Sequence, residues 1–156
     1  MEQKKALFFL AKFFAIFLVL EALIYFIGFS ALKQWLAGIE AGFLGLQAQG
    51  NIIGGFEIGS SCTGLVSIAI LAGIVFGLRK PELKKKILVF AIGAVALLIV
   101  NIARVFLVLW IGQNIGLQAA ETAHVISWFA MTAVILALWL VLTKKIAKEK
   151  ELYDLL

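Results

Sequence analysis

Three residues of this chain carry chemistry that hydrophobic packing does not call for: Cys62, Arg104 and His124. Cys62 is the only cysteine and His124 the only histidine. Cys62 falls in Glu57-Ile58-Gly59-Ser60-Ser61-Cys62-Thr63-Gly64, where a polar, glycine-rich stretch runs into the apolar segment Leu65 to Leu78. A thiol at a helix start lies near unpaired backbone N–H groups and the positive end of the helix dipole, and both favour thiolate. A thiol beside an imidazole is the minimal pair for nucleophilic acyl transfer: the imidazole takes the thiol proton, and the thiolate attacks a carbonyl to give a thioester. An arginine nearby stabilises the thiolate or the oxyanion of the attack, and it stays charged when partly desolvated. Residue types leave open whether the acyl group then passes to water or to an amine.

The neighbours suit such a site. Asn101 and Arg104 are three apart and share a helix face. Glu121, Ser127 and Trp128 lie within one turn of His124, and Glu57 is placed to orient His124 or to pair with Arg104. Each residue also has a plainer reading. A lone cysteine in an apolar helix is usually packing, and a single histidine at a helix start is usually an interfacial polar group. An arginine inside a hydrophobic run points by default to a functional site, its plainer role being an ion pair with Glu21, Glu57 or Glu121. The tryptophans Trp35, Trp110, Trp128 and Trp139 read as interface anchors or lipid-facing bulk. One histidine and one cysteine cannot make up the usual ligand set of a zinc protease, so neither a metal nor another cofactor is expected.

The elements that must position these residues are membrane helices. Of 156 residues, 63% are hydrophobic, and the mean hydropathy is +1.08. That exceeds what a soluble domain of ordinary composition carries, so the solvent is lipid. The length fits a single membrane domain, 1–156. A net charge of +5 suggests nucleic acid in a soluble protein, but here the lysines cluster beside hydrophobic runs and read as topology determinants. One cysteine excludes an internal disulfide.

Four apolar runs follow in order: about 6–29, 62–78, 87–111 and 123–143. About 20 residues at 1.5 Å each span a hydrocarbon core roughly 30 Å thick. The second run is slightly short, which suits a helix starting within a re-entrant loop. The first is too long for a secretory signal and has no clear cleavage site, so it reads as a retained helix. Lys12 inside it can snorkel to the basic side, whereas Glu21 lies deeper and must find a partner. Segment 30–49 alternates apolar residues with Lys33, Gln34, Glu40, Gln47 and Gln49 at helical spacing, the pattern of an amphipathic helix in the interface. Gly50 to Ser61 contains Gly50, Gly54, Gly55 and Gly59 and reads as a loop or short hairpin. The fold class is therefore all-α: four transmembrane helices, an interfacial helix and a Gly-rich loop.

Orientation follows from the basic residues. With a cytoplasmic N-terminus, Lys4, Lys5, Lys12, Arg79, Lys80, Lys84, Lys85, Lys86, Lys144, Lys145, Lys148 and Lys150 fall on the cytoplasmic side, and only Lys33 and Arg104 fall elsewhere. The positive-inside rule then places both termini in the cytoplasm of a multi-pass cell-membrane protein. It also brings Cys62, Arg104 and His124 to the level of the outer leaflet, an agreement not used in deriving the topology.

Cys62-Thr63-Gly64-Leu65, then Asn101-Ile102-Ala103-Arg104-Val105, then His124 opening a helix, resemble in type and order the exosortase/archaeosortase family of membrane transpeptidases. The resemblance covers about 57–142, and the chain looks like a compact, archaeal-type member, since many relatives carry more helices. It implies Cys62 as nucleophile, His124 as acid/base and Arg104 as stabiliser of oxyanion or thiolate, supported by Asn101, Glu57, Thr63 and Gly64. It implies as substrates surface proteins ending in a tripartite signal of short motif, transmembrane helix and basic tail. The new C-terminus would pass to water or to an amine or lipid acceptor. Two other readings compete: a membrane endopeptidase using only water, and a non-enzymatic transporter or assembly subunit in which Arg104 and Glu21 are buried polar contacts.

Overall fold

The computed structural model describes residues 2–147; the rest of the charged tail, with Lys148 and Lys150, lies outside them. The elements are α1 (Glu2–Ile27), α2 (Ser30–Leu44), strands β1 (Ala48–Gln49), β2 (Ile52–Ile53) and β3 (Phe56–Glu57), a 3-10 turn (Ser60–Cys62), and helices α3 (Leu65–Gly77), α4 (Leu83–Asn114) and α5 (Leu117–Ala147). Three helices are long and apolar enough to cross a membrane: α1 from Gln3, α4, and α5 to Ile146. The fourth expected span is shorter. With 13 residues, α3 reaches only about 20 Å at 1.5 Å per residue.

Although short, α3 is central, with Leu71, Ala72, Gly73, Ile74 and Val75 all buried. Its core cluster joins Leu71, Val75 and Leu78 to Val89 and Leu97 of α4 and to Met131 and Ile135 of α5. Close approach depends on missing side chains. A Cβ on Gly73 would come within 2.8 Å of the Phe13 ring of α1, and one on Gly93 within 2.6 Å of Leu71. Helix α4 presents one buried stripe, Val89, Gly93, Leu97, Asn101, Val105 and Leu109, at the four-residue spacing of a single helix face. The Lys86 ammonium of α4 donates to the Leu78 carbonyl just past the end of α3, so the basic loop is tied to the helix it follows.

Gly28 and Phe29 both take left-handed backbone, with φ of 69° and 42°, and so break α1 from α2. Helix α2 does more than lie along an interface. Its Leu36, Ala37 and Ala41 pack with Ile53, Ile58, Val105 and Leu109 in a second core cluster. Trp35 and Phe43 stay exposed. Glu40, one of the polar residues of the amphipathic pattern, lies on the inner face and is 0% exposed. Neither of its oxygens has a hydrogen-bond partner, and desolvation pushes its pKa from 4.5 up to about 7.

The glycine-rich segment, expected as a loop or short hairpin, is in part an antiparallel meander, β1-β2-β3, with Ala48 opposite Ile53 and Ile52 opposite Glu57. Its two-residue connections, Gly50-Asn51 and Gly54-Gly55, use positive φ at all three glycines, as tight hairpins of matching twist require. The meander feeds directly into the Cys62 turn.

Candidate active site

The candidate residues are held by local turns and by hydrogen bonds between elements. The 3-10 turn closes when the Cys62 N–H donates to the Gly59 carbonyl at 3.0 Å and the Thr63 N–H to the Ser60 carbonyl at 3.2 Å. Thr63, 2% exposed, adds its hydroxyl to the Ser60 carbonyl at 2.6 Å and accepts from the Leu65 N–H at 3.4 Å. That satisfies one of the donors a helix start leaves over. Gly64 then enters α3 with φ of 79°, and a Cβ there would lie 3.0 Å from the Asn101 side-chain carbon. So the residue after Thr63 must be glycine on two counts: a left-handed backbone, and the approach of α4.

Asn101 uses that gap. Its Nδ2 donates to the Cys62 carbonyl at 2.7 Å, and its Oδ1 accepts from Arg104 Nε at 3.2 Å. The remaining guanidinium nitrogens donate outward, one to the Ser61 carbonyl at 3.3 Å and one to Ser127 Oγ at 3.4 Å. Ser127 in turn donates to the His124 carbonyl at 2.7 Å. Arg104 therefore joins three parts of the chain: its own helix, the Cys62 turn and the His124 turn of α5. The imidazole of His124 lies against Trp128, ring centroids 5.3 Å apart, which limits its rotation.

Cys62 and His124 line one cavity of about 380 Å3, shared with Ser61, Glu57, Glu121 and the Phe56 ring. Arg104 does not line it. It faces a second cavity of about 390 Å3 with Glu21, Ser61 and Trp128. Ser61 belongs to both, so the two spaces adjoin at the turn that carries the thiol. Cys62 is a free, half-buried thiol on the wall of the first cavity.

Two expected pairings are replaced by others. The Glu57 carboxylate accepts from Asn51 Nδ2 at 3.2 Å, and the same amide reaches the Ile58 carbonyl at 3.1 Å. Among the described residues no hydrogen bond or ion pair joins Glu57 to His124 or Arg104. Arg104 likewise makes no ion pair there with Glu21, Glu57 or Glu121; its partners are neutral oxygens. Trp128, read from sequence as an interface anchor or lipid-facing bulk, is half-exposed and also borders the second cavity. The Ser61 carbonyl and the Asn51 side chain escaped sequence reasoning, because a backbone acceptor leaves no trace in residue types. Ser127 carried a signal, three residues from His124 on the same helix.

None of the curated proteins and none of the solved structures compared matches the chain. A family profile does: Transmembrane exosortase (Exosortase_EpsH) matches residues 6–141. The match takes in the whole of α4, most of the other two candidate spans and every residue of the two cavities, and the chain belongs to the transmembrane exosortase family.

Proposed function

We propose that the chain is a membrane cysteine transpeptidase or protease acting on C-terminal sorting signals through a thioester on Cys62. Family membership supports a sorting-related processing role in general. The observation that carries the finer reading is the bonded path from the Cys62 turn through Asn101 and Arg104 to the His124 turn, beside a cavity lined by both the thiol and the imidazole.

In this reading His124 takes the Cys62 proton, and the thiolate attacks the scissile carbonyl. The imidazolium then protonates the departing amine, leaving the acyl group on sulfur. Arg104 lines the neighbouring cavity and donates to the Ser61 carbonyl, next to the thiol. Its contribution is a fixed positive charge against thiolate and oxyanion, and a clamp on the turn that aims the sulfur. Asn101 and Gly64 hold that turn against α4, and Thr63 caps the helix behind it. Glu57 and Glu121 line the substrate cavity as acceptors for the incoming peptide. Substrates are surface proteins whose signal ends in a transmembrane helix and a basic tail. The helix lies beside the bundle, and its cleavage motif rises to the outer leaflet. Helix α3 crosses as the fourth span, its shortness made up by the 3-10 turn and the meander. Both termini are cytoplasmic.

The test is the pH dependence of Cys62 alkylation by a membrane-impermeant thiol reagent in sealed vesicles. Labelling from outside with an apparent pKa well below about 8.5, raised in His124→Ala and in Arg104→Ala, is the expected result. Slow labelling that neither substitution changes would return Cys62 to packing and favour the non-enzymatic reading.

A further inference from the structure

Glu40 is a buried titratable group that the reaction above leaves unused. It lies on the inner face of α2 with Leu36, Ala37 and Ala41, is 0% exposed, and neither of its oxygens has a hydrogen-bond partner. A carboxylate so placed is costly, and it takes up a proton instead. No neighbouring charge alters that balance, since desolvation is the one cause of its raised pKa. Helix α2 packs on β1, β2 and α4. The two strands carry no titratable side chain. Of the charged groups on or near those elements, Lys33 belongs to α2 itself, Glu57 takes the Asn51 amide, and Arg104 spends its donors on Asn101, Ser127 and Ser61. Lys84, Lys85 and Lys86 lie at the far end of α4.

The cluster on which this face of α2 rests also carries the thiol. Leu36, Ala37 and Ala41 pack with Ile53, Ile58, Val105 and Leu109, and Cys62 packs against the same group. Ile58, four residues before Cys62, is 2% exposed. Its N–H donates to the Asn51 carbonyl at 2.8 Å, and the next residue, Gly59, accepts the Cys62 N–H at 3.0 Å. The apolar seat of α2 is thus one residue from the hydrogen bond that closes the thiol turn.

We propose that Glu40 is a positioning residue for the thiol: with its carboxyl neutral it seats α2 on the cluster that carries the Cys62 turn, and once it is ionised the helix and the turn release together. The lock does not depend on how Cys62 is used; only its consequence for catalysis rests on the reading of Cys62 as nucleophile. Released into water, Glu40 has the ordinary value of 4.5, whereas seated it keeps its proton up to about 7. Seating is therefore at full strength below pH 4.5 and weakens as pH rises through this window. The loss reaches about 300-fold in the seating constant, the antilogarithm of the gap between 4.5 and 7. The site then has a third titration beside those of thiol and imidazole, on a residue that touches neither substrate nor reacting atoms.

Hydrogen exchange of the full chain in phospholipid vesicles tests the lock on three peptides: α2, the thiol turn at 51–64, and the α3 core at 71–75. Each rate is divided by that of the same peptide in Glu40→Gln, which keeps the shape of the neutral carboxyl; the intrinsic pH dependence of exchange then cancels. Glu40→Met, which cannot titrate either, should serve as the same flat reference. From about pH 5 to about pH 8 the ratio should rise roughly 70-fold for α2 and for the turn alike, and stay level for the α3 core. A rise in α2 alone overturns the coupling to the thiol. Level ratios throughout overturn the lock, and so does an equal rise in all three peptides, which would make Glu40 a determinant of global unfolding only. The thiol reports the consequence. Cys62 alkylation in wild type relative to Glu40→Gln should stand near one at about pH 5 and fall below one above pH 7. A ratio that stays at one while the turn follows α2 overturns the positioning role. Alkylation that is also indifferent to His124→Ala and Arg104→Ala strikes the nucleophile reading instead, and the exchange data alone then decide whether the lock exists.

Discussion

Arg104 is useful for its shape as well as its charge. Its three nitrogen groups reach Asn101, Ser61 and Ser127 in different directions, which a planar fork can do and a lysine ammonium on a flexible stem cannot. Arg104→Lys should therefore keep the charge yet slow Cys62 alkylation about tenfold, because the turn is no longer clamped; a rate equal to wild type would show that charge alone matters. Asn101 is the buried hinge of the same path, 2% exposed. In Asn101→Asp an oxygen replaces the donor facing the Cys62 carbonyl, so two acceptors oppose each other. We expect thermal unfolding in detergent to report a loss of about 1–3 kcal/mol, the usual cost of an orphaned buried polar group. Gly64→Ala combines a left-handed backbone with a contact 3.0 Å from the Asn101 side chain. It should lower stability and Cys62 reactivity together, whereas Gly59→Ala, with only the Ser61 hydroxyl within 4 Å, should not. The sequence made Cys62, Arg104 and His124 conspicuous because such residues are costly at hydrophobic boundaries. It could not show that Arg104 lines a different cavity from Cys62 and His124, since depth along a helix says nothing of azimuth.

At the scale of elements, the stripe on α4 explains why Asn101 meets the Cys62 turn: it continues the buried row of Gly93 and Leu97. Of that row only Asn101 stood out in the sequence, because a run apolar on every side hides which residues face inward. The glycines marked a loop or short hairpin, but strands of two residues have no periodicity from which to read their pairing. The meander's pairing of Ile52 with Glu57 nevertheless sets where Asn51 finds the Glu57 carboxylate. Helix α2 misled in one respect, since Glu40 belongs to its packed face. Amphipathic spacing identifies the apolar stripe, and Glu40 falls beside Leu36 and Ala37 on it. This has a pH consequence. The carboxyl is pushed from 4.5 to about 7 by burial, so the seated helix holds its proton over a range where a released helix would lose it. Below pH 4.5 both forms are protonated and no penalty exists. As pH rises from 4.5 to 7 the released form gains, and above 7 the loss is constant. Seating of α2 should thus weaken over that window. Hydrogen exchange of α2 amides should speed up between those pH values in wild type beyond the intrinsic chemical rate, and this excess should vanish in Glu40→Gln. An excess unchanged by Glu40→Gln would mean that another group governs the helix.

For the whole molecule, packing and charge make separate statements about sidedness. Phe9 against Gly77 and Phe13 against Gly73 fix α1 and α3 as antiparallel, so the N-terminal end of α1 and the basic loop after α3 share one face. The Phe56 ring fills the space where Gly112 has no side chain, so the meander and the α4–α5 turn at Ile115-Gly116 share the other. Cys62 goes with that second face. These relations hold whichever way the bundle is inserted. Absolute orientation comes from the lysines and arginines, which gather at the first face and are held there by the positive-inside bias. Single cysteines placed in a Cys62→Ala background separate the two statements. Lys5→Cys and Lys84→Cys should be shielded from an impermeant maleimide in sealed, right-side-out vesicles and react only after lysis. Asn114→Cys and Gln118→Cys should react at once, as is expected of the native Cys62. If all four accessibilities reverse together, the packing relations stand and the charge argument is wrong for this chain. If Lys5→Cys and Lys84→Cys report opposite sides, the antiparallel packing of α1 on α3, and with it the shared face of these two ends, is overturned.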